Sequence, residues 1–125
     1  MLFAIQINDS PARSDTSMTG FQFIKAALTA GHQIVRVFFY HDGIYNAFIP
    51  ALPGEMVPPD WSSLARESRV ELIFCTAAAE RRGMLQTDRE PGAGLSPLEG
   101  FQGGGLGLWV DACIRAERVV VFGGG

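Results

Sequence analysis

The feature that most restricts the fold is an apolar strand pattern that continues into a helix pattern without an intervening loop. Residues 69–83 read RVELIFCTAAAERRG. The mostly apolar run at 70–74 is typical of a strand buried in a parallel sheet, and the alanine-rich segment 76–82 favours a helix. The sequence therefore predicts a β-strand followed directly by an α-helix, as in α/β proteins.

Cys75 occupies the junction between this strand and this helix. A thiol there faces unpaired backbone N–H groups and the positive end of the helix dipole, and both favour the nucleophilic thiolate. The alanines at 77–79 add no bulk beside the sulfur, so we expect another protein's thiol to reach it. Arg82, about two helical turns further along the same face, is a candidate auxiliary residue that adds positive potential. The alternative is a structural thiol, because free cysteine often packs as a small buried hydrophobe.

Strand and helix patterns alternate along the rest of the chain. Strands are predicted at 2–7, 33–40 and 118–122, with one helix ending at Gly31 and another at 61–69 capped by Asp60. Two irregular segments remain, the proline-rich 48–59 and the stretch 84–100, where a short strand is expected near Leu95. This alternation predicts a single domain over residues 1–125, of the α/β class, with three α/β/α layers around a mostly parallel sheet of four or five strands.

The glycine-rich segment 103–107 is predicted to open the last helix. Leu106, Val110, Cys113 and Ile114 share one face of that helix, which we expect to be its core face, with Cys113 a structural thiol. The glycines lack the third position of the dinucleotide fingerprint, and no Walker A motif is present, so no cofactor is expected. Flavin binding at the hydroxyl-rich loop 10–17 is a minor alternative.

His41 and Asp42 follow the second predicted strand, at the sheet edge that carries Cys75. A histidine there could assist proton transfer or stabilise a thiolate, which makes His41 a second candidate auxiliary residue. The alternative is a simple turn in which Asp42 bonds its own backbone. Tyr45 and Asn46 are expected to order the loop that follows.

Composition excludes several classes of function. The formal charge of −3 and the pI near 5.3 argue against direct nucleic-acid binding. The N-terminus shows neither a signal peptide nor a membrane span, and the two cysteines have no CxxC or zinc spacing, so we expect a cytoplasmic protein without metal. Charged residues are only 18% of the chain, which indicates that partner subunits cover part of its surface. The apolar side chains near one edge that could contribute are Phe38, Phe39, Phe48 and Ile49.

Three stretches, 22–47, 75–83 and 103–122, resemble the TusD/DsrE sulfurtransferase family in order along the chain. The blocks FFYHDG at 38–43 and CTAAAERRG at 75–83 are specific to that family, whereas the segment 48–68 and the glycine tail depart from it. The resemblance implies a five-stranded parallel sheet and a catalytic cysteine at Cys75, without a cofactor. It also implies a heterohexamer with two related subunits, of the TusC/TusB or DsrF/DsrH type.

Members of this family carry sulfane sulfur as a cysteine persulfide. The resemblance implies that Cys75 accepts sulfur from an upstream TusA-like carrier and gives it to a downstream carrier of the TusE/DsrC type. In the TusD branch the relay ends in 2-thiolation of the tRNA wobble uridine, and in the DsrE branch it serves sulfur oxidation. A non-catalytic assembly subunit is a further alternative, because some related subunits lack the cysteine.

Overall fold

Five parallel strands form one sheet in the order β4-β3-β2-β1-β5. The computed structural model describes residues 1–49, 58–85 and 96–124. The strands are β1 (Leu2–Ile7), β2 (Gln33–Phe39), β3 (Leu72–Cys75), β4 (Phe101–Gly104) and β5 (Arg118–Phe122). The helices are α1 (Thr16–Thr29), α2 (Trp61–Ser68), α3 (Thr76–Arg81) and α4 (Leu106–Arg115), and a 3₁₀ helix (His41–Ala47) follows β2.

Helices cover both faces of this sheet, which confirms the predicted α/β class and its three layers. On one face Trp61 of α2 meets Phe21 of α1 and Phe39 of β2 edge-on, with ring centroids 5.0 and 4.9 Å apart. On the other face Trp109 of α4 stacks on Phe38 at 6.0 Å. Phe38 and Phe39 are fully buried, so they belong to the core of this chain and not to a partner surface.

Local signals placed several element ends correctly. Gly31 follows α1 with a φ of +92°, the left-handed conformation expected of a helix-terminating glycine. Asp60 caps α2 by accepting a hydrogen bond from the backbone N–H of Ser63, 3.1 Å from Oδ1. The bounds of β1 and β5 also agree with the prediction.

The prediction for the glycine-rich segment was wrong, because its first glycines lie in a strand. Gly103 and Gly104 belong to β4, and α4 begins only at Leu106. A Cβ at Gly103 would come within 2.6 Å of Thr76 Cγ2, and one at Gly104 would overlap Leu108 Cδ1. These glycines therefore let β4 lie against α3 and α4, although glycine carries no strand signal of its own. The strand expected near Leu95 and most of the proline-rich segment lie outside the described residues.

The predicted core face of α4 was also wrong, because it is exposed. Its buried residue is Ala112, while Cys113 is only partly buried. Arg36 of β2 sets the rotation of the helix by donating from Nη1 to Leu108 O at 2.8 Å and to Asp111 Oδ2 at 3.1 Å. The apolar side chains thereby turned outward are Leu106, Val110 and Ile114, which are 48%, 53% and 78% exposed.

None of the helices within 1–49, 58–85 and 96–124 combines the length and apolar character needed to cross a bilayer.

Candidate functional site

Cys75 lies where the sequence placed it, at the end of β3 and the start of α3. It is the last residue of the strand, and its extended backbone (φ −69°, ψ 115°) caps the helix at its N-terminal end. The register pairs Cys75 with Gly104, the last residue of β4. The thiol is free of any disulfide and lies at the carboxyl edge of the sheet, where ligands of parallel α/β proteins collect.

The thiol is less accessible than the run of alanines suggested. Cys75 is 3% exposed, and Ala78 and Ala79 are almost fully buried. The small alanine side chains let α3 pack closely against the 3₁₀ helix instead of leaving an opening beside the sulfur. A large reactant therefore reaches Cys75 only if neighbouring atoms move.

His41 lies at the same edge of the sheet as Cys75. Phe39 pairs with Phe74, so the residues that follow β2 and β3 leave the sheet side by side. The His41 backbone is left-handed, with a φ of +49°, and its ring lies 4.1 Å from that of Tyr40. Within the described part of the chain, no hydrogen bond joins His41 to Cys75.

Arg82 binds a carboxylate at this edge. Its Nε donates to Asp42 Oδ1 at 2.8 Å, and its Nη1 donates to Ala78 O at 3.1 Å. The Asp42 carboxylate therefore accepts from Arg82 and not from its own backbone. Its negative charge compensates the positive charge that Arg82 was expected to direct at Cys75. Sequence reasoning missed this pair, although an acidic residue just after β2 and a basic residue at the end of the helix after β3 were a usable signal.

Asn46 joins the 3₁₀ helix to α1 and α2, as expected of a residue that orders this region. Its side chain is buried, and Nδ2 donates to Ser17 Oγ at 3.0 Å and to Gly43 O at 2.9 Å. Its Oδ1 accepts from Trp61 Nε1 at 3.0 Å. Asn46 thus fixes the start of α1 and the start of α2 to the segment that carries His41.

The hydroxyl-rich loop before α1 uses its hydroxyl groups internally. Ser14 Oγ donates to Asp9 Oδ2 at 3.1 Å, and Ser17 Oγ donates to Asp9 O at 2.8 Å. The negative charge of the Asp9 carboxylate beside Ser14 does not favour a phosphate cradle. Among the residues that the structure describes, no three His, Cys, Asp or Glu side chains are grouped as metal ligands.

The site is thus a free cysteine between a parallel strand and a short helix, at the carboxyl edge of a five-stranded α/β sheet. Residues 1–122 match the model of the DsrE/DsrF-like family, and the chain belongs to that family.

Curated relatives extend over nearly the whole chain. DsrE of Allochromatium vinosum is 40% identical over 129 residues, covering 98% of this chain and 99% of that protein. The sulfurtransferase TusD homolog of Pseudomonas aeruginosa is 36% identical over 132 residues, covering 99% and 98%. Sulfurtransferase TusD of Cronobacter sakazakii is 36% identical over 130 residues, covering 98% and 100%.

The fold agrees with a solved structure. The crystal structure of the YchN protein from E. coli matches with a TM-score of 0.80, covering 98% of this chain and 99% of that one. At 18% sequence identity this likeness supports the architecture alone.

Proposed function

We propose that this chain is a sulfurtransferase subunit of a sulfur relay, which accepts sulfane sulfur as a persulfide on Cys75 and passes it to a downstream carrier protein. The observation that carries the proposal is the position of Cys75, a free thiol at the carboxyl edge of the sheet and the start of a helix. The chain is related over nearly its full length to proteins named sulfurtransferase TusD.

The proposed reaction needs only two thiols and one mobile sulfur atom. The Cys75 thiolate attacks the terminal sulfur of a persulfide on the upstream carrier, R–S–SH. The S–S bond of the donor breaks, R–S⁻ leaves with its electron pair, and a new S–S bond forms on Cys75. No electrons are gained or lost overall, so the step requires no redox cofactor. The same exchange with the thiolate of the downstream carrier unloads Cys75.

Burial of the thiol suits such a relay in the reducing cytoplasm, where we place this protein. At 3% exposure, a persulfide on Cys75 is shielded from the small thiols that would otherwise remove its sulfur. Loading then requires a carrier protein whose docking displaces the atoms over the sulfur. We therefore propose TusA-like and TusE/DsrC-like proteins as donor and acceptor, and neither a nucleic acid nor a membrane as a direct partner.

The α4 surface supports the proposal that related subunits surround this chain. Phe38 lies beneath α4, and it is level with Gln6 and Val121 in the two neighbouring strands. Residues paired in this way share a face of the sheet, and side chains alternate along a strand, so Val121 and Val119 lie on the side that carries α4. We define the α4 surface as these two valines, 50% and 46% exposed, together with the exposed residues of the helix, Leu106, Val110 and Ile114. Apolar groups at this density are typical of a subunit contact. We propose that subunits of the TusC/TusB or DsrF/DsrH type cover it in a heterohexamer.

The proposed physiological role is that of TusD, in 2-thiolation of the tRNA wobble uridine. The relative named DsrE favours a second candidate, dissimilatory sulfur oxidation, since it is 40% identical to this chain. Expression of the chain in a strain lacking TusD separates the two roles: restored 2-thiouridine in tRNA supports the first, and its absence despite formation of the complex supports the second.

The central test is the intact mass of the protein after incubation with a desulfurase and a loaded TusA-like carrier. Wild type and Cys113→Ser should gain one sulfur atom that reduction removes, and Cys75→Ser should gain none. If wild type gains none, the measurement is repeated on the co-expressed complex. A gain that persists in Cys75→Ser would refute the assignment of Cys75. Sulfur transfer by a complex that contains Cys75→Ala would indicate an assembly subunit instead.

A further inference from the structure

An ion pair joins the two segments that leave the sheet beside Cys75. Asp42 belongs to the 3₁₀ helix after β2, and Arg82 directly follows α3, the helix after β3. The contact from Arg82 Nε to Asp42 Oδ1 is 2.8 Å long, and it spans 40 positions of the chain. It is thus a tertiary contact between the neighbours of His41 and the helix that begins at Cys75.

The same arginine also holds the helix itself. Helix α3 has six residues, too few for a helix to be stable without tertiary contacts. Arg82 Nη1 donates to Ala78 O at 3.1 Å while Nε binds Asp42. One guanidinium therefore ties the end of α3 to the 3₁₀ helix, and the other end of α3 is the backbone of Cys75.

The carboxylate lies beside a strained residue. His41 has a φ of +49°, which is uncommon for a residue other than glycine. Such conformations persist where the surrounding structure holds them, and they are concentrated at functional sites. Asp42 is the next residue, so its ion pair to Arg82 holds the His41 turn against α3.

We propose that Asp42 is a positioning residue for sulfur transfer: through Arg82 it holds α3 and the His41 turn, and so places the Cys75 thiolate for attack on the incoming persulfide. This inference rests on the proposed function. In this proposal Arg82 acts by holding two segments together and not by its electrostatic effect on Cys75, because its charge is compensated by the carboxylate that it binds.

Loss of the ion pair should affect transfer much more than stability. The side chains of Arg82 and Asp42 are 24% and 43% exposed, and ion pairs open to solvent contribute little to global stability. The chain offers a matched control in Arg66 and Glu99, which pair at 3.1 Å. That pair joins α2 to the segment before the first residue of β4. Cys75 pairs with the last residue of β4, so the control lies at the opposite end of the strand.

The experiment compares Asp42→Asn with Glu99→Gln in a Cys113→Ser background, where Cys75 is the remaining thiol. Each full-length protein is mixed with a desulfurase and the loaded TusA-like carrier, quenched at set times, and followed by intact mass. Melting temperatures are measured in parallel. We expect Asp42→Asn to load about tenfold more slowly than Glu99→Gln, because misplacing a nucleophile by about 1 Å costs one to two orders of magnitude in rate. The two variants should melt at similar temperatures. Exchanging the charges, Asp42→Arg with Arg82→Asp, restores the ion pair but not the bond to Ala78 O, so the exchanged protein should load faster than either single charge variant.

The results separate failure of the positioning role from failure of the proposed function. If Asp42→Asn loads as fast as Glu99→Gln, the positioning role is refuted while loading of Cys75 stands. If Cys75→Ser with Cys113 intact gains sulfur as fast as Cys113→Ser does, the proposed function fails whatever Asp42 does. If Asp42→Asn is unfolded, the charge-exchanged protein decides, since a folded protein that loads no faster than Arg82→Asp alone would also refute positioning by this pair.

Discussion

Gly43→Ala is the substitution whose effect follows most directly from the structure. A Cβ at this position would overlap the carbonyl oxygen of Ile7 and lie 2.8 Å from its carbonyl carbon and 3.2 Å from Asn8 N. These are main-chain atoms at the end of β1, so no rotation of a side chain relieves the overlap. The end of β1 and the start of the 3₁₀ helix would have to separate.

The cost of that separation can be worked out from the contacts it disturbs. Ile7 O accepts a hydrogen bond from Tyr40 N at 2.9 Å, and Asn8 O accepts one from Gly43 N at 3.1 Å. Losing both costs about 1 kcal/mol each, and the overpacking adds about 1–3 kcal/mol. The sum of about 3–5 kcal/mol would lower the melting temperature of a 125-residue domain by roughly 10–20 °C.

Thermal unfolding followed by circular dichroism measures this change, and Gly107→Ala is the matched control. Gly107 lies in the first turn of α4, and a Cβ there would meet nothing within 4 Å. Alanine favours a helix more than glycine does, so the control should melt at or slightly above the wild-type temperature. If Gly43→Ala melts within about 3 °C of wild type, the end of β1 yields easily and the estimate from overpacking is wrong.

Two further predictions concern charge and assembly. The hydrogen bond from Ser63 lowers the pKa of Asp60, so the carboxylate stabilises the folded state above the pKa of the unfolded chain, and this contribution is lost as the pH falls through the folded pKa. Asp60→Asn keeps the capping oxygen but cannot titrate. The melting temperature of wild type should therefore fall more than that of Asp60→Asn between about pH 5 and pH 2. Equal falls in the two proteins would contradict this. Val110→Glu and Ile114→Glu should leave the melting temperature of the isolated chain within about 3 °C of wild type, because both side chains are exposed, yet should prevent co-purification with TusC/TusB-type subunits. Retention of those partners by both variants would exclude the α4 surface as the contact.

Sequence predictions succeeded where the deciding contacts are local. Gly31 ends α1 through its own backbone conformation, and Asp60 caps α2 through a bond to a residue three positions away. The junction at Cys75 was likewise readable because an apolar strand pattern and a helix pattern meet there. Such features depend on backbone geometry and hydrogen bonds within a few residues, and one sequence contains that information.

Predictions failed where the local sequence does not determine the structure and a contact with a distant residue decides it. Helix α4 has apolar residues on more than one face, and Arg36 of β2 selects which of them meets the sheet. Strand β4 contains Gly103 and Gly104, which contribute no strand propensity. They occur there because any larger side chain would collide with residues of α3 and α4.

The position of Cys75 and the sheet edge that carries it are properties of the linear order of residues, since a strand, a cysteine and a helix follow one another without a gap. The environment of Cys75 is a tertiary property. The ion pair between Asp42 and Arg82, the left-handed turn at His41 and the burial of Cys75 arise where segments from distant parts of the chain meet. Free energies of packing decide these contacts, and they exist only once all the neighbouring elements are in place.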